Sequence, residues 1–171
     1  MKHALALFLI LLSLPAGAQT LEGEAEVIRP YVFNLAGHEV YLRGIDSVEI
    51  GQICVVGRLQ WECWAAALRE LQTILAEGRA VCSIVVGPTE DNRVIAECSV
   101  NGEDVGERFL RSGFAIAIPA EMPRYIPVED DARHAGRGLW QSHFAPPSIW
   151  RGLPATPRSN RPPFDPVAPV Q

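Results

Sequence analysis

The sequence predicts a mostly β, α+β domain: a five-stranded barrel capped by about three helices. Three observations predict it. Short apolar/polar alternations bounded by Gly, Pro and Asn read as strands with one wet face. One run with helical spacing, from Trp61 to Leu75, splits them three and two. Two shorter helical stretches then follow the strands. Strands this short leave edges that closure into a barrel removes.

The elements follow in order. Met1–Ala18 reads as a secretory signal peptide. Lys2 and His3 give a positive start, Ala4–Leu14 is an apolar run, and Ala16-Gly17-Ala18 is an A-x-A cleavage site. It is too short to span a membrane as a helix. The mature chain is expected to begin at Gln19 and to be exported, to a periplasm or outside the cell. Glu22, Glu24 and Glu26 alternate with Gly23, Ala25 and Val27 in a first strand, Leu21–Arg29, interrupted by Pro30. Tyr31–Leu35 and Val40–Ile45 complete a meander around Ala36-Gly37-His38.

Gly51–Gln60 reads as a loop. Trp61, Trp64, Leu68, Leu71 and Leu75 then mark a helix whose end is assigned to Gly78 as a left-handed cap. At this spacing the tryptophans read as core. Arg79–Val86 and Arg93–Val100 form a hairpin around Gly87–Asn92, closed by Asn101-Gly102. Asp104–Arg111 is a short helix capped by Gly102 or Glu103, and Pro127 suits the first turn of a last helix, Val128–Arg137. Three strands, a helix, two strands and two helices is the order of the OB architecture. Proline is frequent from Ala145 onward, so residues 145–171 read as an extended or disordered tail and residues 19–144 as the domain.

Lys2 is the one lysine among 15 basic residues and lies in the leader. In the mature chain 14 arginines face 20 acidic residues, a charge of −6. That disfavours a polyanion binder, because nucleic-acid binders neutralise phosphates with Lys and Arg. Four cysteines in an exported chain point to two disulfides. Three connectivities are possible. Cys82 and Cys98 flank the hairpin turn symmetrically, and Cys54 is nine residues from Cys63 at the helix start, so 54–63 with 82–98 is the expected pairing. The C-x-x-C knuckles of a zinc site are absent.

The stretch Val40–Glu49, VYLRGIDSVE, carries the candidate chemistry. A strand turning at Gly44 delivers Asp46 and Glu49 into a loop, and two carboxylates three residues apart can ligate a hard cation and polarise water. The same pair also serves simply as a helix cap or a solvated surface. The stretch resembles the V-R-L-x-G-I-D-x-P-E signature of the staphylococcal-nuclease-like (thermonuclease) family, with Leu42, Gly44, Ile45, Asp46 and Glu49 matching. Arg93 at the head of V-I-A-E-C stands at the family's hairpin arginine. Glu129, Ala132, Arg133, Gly138, Leu139 and Trp140 follow its C-terminal E-x-x-A-R-x-x-x-x-G-L-W. The resemblance covers Gly23–Trp140.

It implies an OB barrel and calcium-dependent hydrolysis of nucleic-acid phosphodiesters, with Asp46 on the metal and Glu49 and Arg93 catalytic. It also implies departures. Tyr31 stands where a second aspartate ligates calcium, and Tyr41 where a first arginine clamps phosphate. Val48 replaces proline, and Arg43 is displaced by two residues. Tyrosine is neutral at pH 7, so the site is expected to be vestigial or weak and to bind calcium weakly. The expected function is therefore an exported thermonuclease-like module that binds or scaffolds. The alternative is an active calcium-dependent nuclease using Asp46, Glu49 and Arg93. A saccharide or peptide ligand is a third reading, from the OB groove. His38, His134 and His143 are scattered.

Overall fold

Buried and exposed side chains alternate along the long strands, and this places the core. In the computed structural model, which describes residues 19–152, Val94, Ala96, Cys98 and Val100 are buried while their neighbours are more open. The expected leader, residues 1–18, and residues 153–171 of the expected tail lie outside the described residues.

The first strands are β1 (Thr20–Gly23), β2 (Glu26–Arg29), β3 (Val32–Leu35), β4 (His38–Leu42) and the two-residue β5 (Ile45–Asp46). A small hairpin, β6 (Cys54–Val56) and β7 (Leu59–Trp61), precedes helix α1 (Cys63–Ala76). Then come β8 (Ala80–Val86), β9 (Arg93–Val100), β10 (Glu103–Asp104), α2 (Val105–Arg111) and β11 (Ile116–Ala117). The described residues close with α3 (Ile126–His134) and α4 (Pro147–Gly152).

The fold is mixed α/β. Six strands form one sheet in the order β1-β8-β9-β4-β3-β2, and β10 adds to β9. All its ladders are antiparallel except β4 with β9, where Glu39 lies opposite Arg93 and Tyr41 opposite Ile95. The five-stranded closed barrel expected from the sequence is found as an open six-stranded curl. Glu24 and Ala25 break the predicted Leu21–Arg29 strand in two, and the halves pair at opposite ends of the sheet, β1 on β8 and β2 on β3. Among the described residues no ladder joins β1 to β2.

The inner face packs Phe33, Leu35, Val40, Leu42 and Val94 against Ala67, Leu71, Ile74 and Leu75 of α1 and Phe109 and Leu110 of α2. Both disulfides pair as expected: Cys54–Cys63 ties β6 to the start of α1, and Cys82–Cys98 crosses between β8 and β9. Among the described residues no helix is long and apolar enough to cross a membrane.

Three local readings change. The expected loop 51–60 contains the β6–β7 hairpin. Gly78 is not a left-handed cap: the helix ends through Glu77 in right-handed geometry, and a Cβ at Gly78 would lie 2.7 Å from the Asn101 side chain. Asn101 Nδ2 instead donates to the Glu77 carbonyl at 3.2 Å. The cap of α2 is Asp104 itself, whose carboxylate accepts from Glu107 N at 2.9 Å.

The C-terminal signature residues are structural. The Glu129 carboxylate accepts from Ala117 N at 2.5 Å and pairs with Arg133, whose guanidinium sits 4.3 Å from the Trp140 ring centre. Gly113 and Gly138 both have positive φ, and a Cβ on Gly138 would meet the Gly113 backbone at 2.6 Å. Only glycine allows that approach, across which Leu139 N donates to the Gly113 carbonyl at 2.9 Å.

Candidate functional site

Gly44 sets the site's geometry. Its φ is +76°, and a Cβ there would lie 2.2 Å from Met122. The chain therefore turns sharply after β4 and sends Ile45–Asp46 into a short pairing with β11. The Asp46–Gln52 loop is then fixed by its own polar groups. Asp46 accepts from Ser47 N at 2.8 Å, and the buried Ser47 hydroxyl donates to the Phe114 carbonyl at 2.6 Å. The side chain of Gln52, fully buried, accepts from Glu49 N at 3.1 Å and donates to the Ala145 carbonyl at 2.7 Å.

The structure brings Asp46, Glu49 and Tyr31 together. The Tyr31 hydroxyl donates to Glu49 Oε1 at 3.2 Å. Tyr31 stands at the turn between β2 and β3 with φ +85°. Burial, reinforced by the negative charges of Glu49 and Asp46, pushes its phenol up to about 12.

A residue absent from the sequence reading completes the cluster. Arg151, in α4, places Nη1 at 3.1 Å and Nη2 at 2.7 Å from the two Asp46 oxygens, and Nη1 at 2.7 Å from Glu49 Oε1. Those hydrogen bonds, Asp46's first, hold the guanidinium charged well above its ordinary range. The expectation of an extended or disordered chain from Ala145 does not hold for 147–152, which are helical. Pro147 at the first turn and Gly152 at the end were the readable helix signals. Arg151's role was not readable, because it depends on a contact 105 residues away.

The remaining expected residues lie in three further groups. Arg29 pairs with Glu39 and donates to the Tyr41 hydroxyl at 2.9 Å, while Tyr41 donates to Glu39 at 2.8 Å. The Tyr41 hydrogen bond, followed by Arg29, holds the Glu39 carboxyl below its usual range. Arg43 is held by Glu97 at 2.5 Å. Arg93, exposed at the head of β9, pairs with Asp91 at 2.8 Å. Among the described residues it makes no hydrogen bond or ion pair with Asp46 or Glu49.

A cleft of about 210 Å³ beside the Asp46 cluster is lined by Tyr31, Tyr41, Ile45, Asp46, Ile95 and Arg151. The donor set does not fit a calcium ion. Calcium takes roughly six to eight oxygen ligands. Here both Asp46 oxygens and one Glu49 oxygen are engaged by a guanidinium, and the protonated Tyr31 hydroxyl is itself a donor. Among the described residues no group of three or more His, Cys, Asp or Glu is arranged to hold a metal.

No family model matches the sequence. The chain is similar to the succinoglycan biosynthesis protein ExoI of Rhizobium meliloti (strain 1021), with 26% identity over 137 residues, 78% of this chain and 72% of that one. Identity at this level relates the two chains without fixing a shared activity.

Proposed function

We propose that this chain is an exported thermonuclease-like module on an OB framework whose phosphodiesterase site is vestigial, and that it acts by binding or scaffolding. The β1–β2 break supports the OB reading, since two halves of one bent strand lie at opposite ends of the curled sheet. The two disulfides support export, because such bonds persist in oxidising compartments.

One observation carries the loss of chemistry. Glu49, the group that would activate water, accepts hydrogen bonds from both Tyr31 and Arg151. A carboxylate held by a phenol and a guanidinium is a poor general base. Tyr41, at the clamp position, presents a neutral hydroxyl already bonded to Glu39. Removing one preorganised charge donor costs about 10²–10³ in rate. Similarity to a protein named for glycan biosynthesis supports testing an oligosaccharide as ligand.

The test is calcium-dependent hydrolysis of DNA and RNA by protein beginning at Gln19. Turnover is expected to fall at least ~10³ below that of a chain with the full acidic and arginine set. Robust turnover that Glu49→Gln or Arg93→Ala abolishes would overturn the reading.

A further inference from the structure

We infer that the Asp46–Glu49 pair is a guanidinium site, filled in cis by Arg151, and not a divalent-cation site. The inference concerns the same cleft as the functional proposal but is read without nucleic acid, so either can fail alone.

The contacts are those of a fork. A guanidinium offers two parallel N–H donors that match the two oxygens of a carboxylate. Arg151 uses both on Asp46, and Nη1 also reaches Glu49. The side chains of Asp46 and Glu49 are only 19% and 17% exposed. In so sheltered a place two carboxylates without a cation would repel each other and stand poorly solvated. The third potential ligand, Tyr31, donates a proton toward Glu49 and adds no negative charge.

The segment carrying Arg151 is itself built in. Val55 and His143 exchange both backbone hydrogen bonds, at 2.9 and 2.8 Å. Ala145 and Pro147 are buried, and Gln52 joins the Glu49 backbone to the Ala145 carbonyl through one side chain. The loop that presents the carboxylates and the segment that presents the guanidinium are thus one hydrogen-bonded unit. A metal ion would have to displace the Arg151 fork from Asp46 before it met two free carboxylates.

The experiment uses the full exported protein, read by thermal melts and by calorimetric titration with calcium chloride. Wild type is expected to show no calcium heat and no change in Tm up to ~10 mM, the weak end of extracellular calcium sites. Arg151→Ala is expected to melt about 3–8 °C lower. Ethylguanidinium should recover more of that loss than equal ethylammonium or calcium, and Asp46→Asn with Arg151→Ala should not respond. Arg151→Lys, which keeps the charge without the fork, should fall between wild type and Arg151→Ala.

Calcium stabilisation of wild type that Asp46→Asn removes would overturn the inference. So would an Arg151→Ala protein as stable as wild type, or one that ethylguanidinium fails to recover. If Arg151→Ala does not fold, the wild-type titration and Arg151→Lys decide it, since Arg151→Lys equal to wild type would rule out the fork.

Discussion

Tyr31 shows how one residue can be readable in type and unreadable in partner. Its identity alone says that a phenol neutral at pH 7 stands at the turn. Its surroundings say more: burial and two nearby carboxylates oppose its ionisation and push it up to about 12. An unfolded tyrosine ionises near 10. The folded chain therefore holds this proton more tightly, so the stabilisation is fully present below about pH 10. It is lost as pH rises through about 12, because the unfolded state releases the proton first. Tyr125 is shifted in the same direction by burial and by Asp104, so it contributes to the same alkaline fall. The expected outcome is that Tyr31→Phe flattens part of the stability loss between about pH 10 and 12 and leaves the slope near neutrality unchanged. Urea midpoints measured across that range check it. An unaltered alkaline slope would mean that neither burial nor the acidic pair holds the Tyr31 proton.

Asp104 plays the corresponding part among elements. It ends β10, caps α2 through Glu107 N, accepts the Tyr125 hydroxyl at 2.7 Å and pairs with Arg124 at 2.7 Å. Tyr125 is 2% exposed, so its hydroxyl depends on this one carboxylate. Asp104→Ala removes a helix cap, at about 1 kcal/mol. It also strands a buried hydroxyl, at roughly 1–3 kcal/mol. The exposed Arg124 adds little. A loss near 3 kcal/mol is expected by chemical denaturation, against about 1 for Asp104→Asn, which still caps and still accepts. Equal losses in both variants would mean that carboxylate charge, not the accepted hydrogen bonds, holds the elements together. The same scale shows what the sequence made legible. Alternation located β4, short extended or apolar runs bounded by turn residues located β3, β8 and β9, and symmetry about the hairpin located Cys82 against Cys98, because these signals are local. The β6–β7 hairpin was missed although Gly57-Arg58 between Val55-Val56 and Leu59 is a two-residue turn signal. The α4 helix was missed because proline richness masked it. The joining of Asp46, Glu49 and Arg151 had no local signal.

For the whole molecule the question is whether a surface this acidic can still meet a nucleic acid. Net charge alone does not decide, since a local row of arginines can track a phosphate backbone. The placement of the arginines does decide more. Arg29, Arg43, Arg79, Arg93, Arg108, Arg111, Arg124, Arg133 and Arg151 are each ion-paired with an acidic side chain of the same chain. In the cleft itself Arg151 points its charge into the Asp46–Glu49 pair, and Arg29, Arg43 and Arg93 are held by Glu39, Glu97 and Asp91. A phosphate entering there would compete with carboxylates already in place and lie close to their negative charge. Few counterions would be released from the nucleic acid, so the salt dependence of any binding should be shallow. In fluorescence anisotropy with labelled single- and double-stranded DNA, protein beginning at Gln19 is expected to bind more weakly than about 10⁻⁴ M at physiological salt. Lowering the salt several-fold should change that by less than about tenfold, the effect of roughly one or two phosphate contacts. Micromolar binding with a steep salt slope would mean that the ion pairs open on contact, and nucleic acid would return as the partner of this surface.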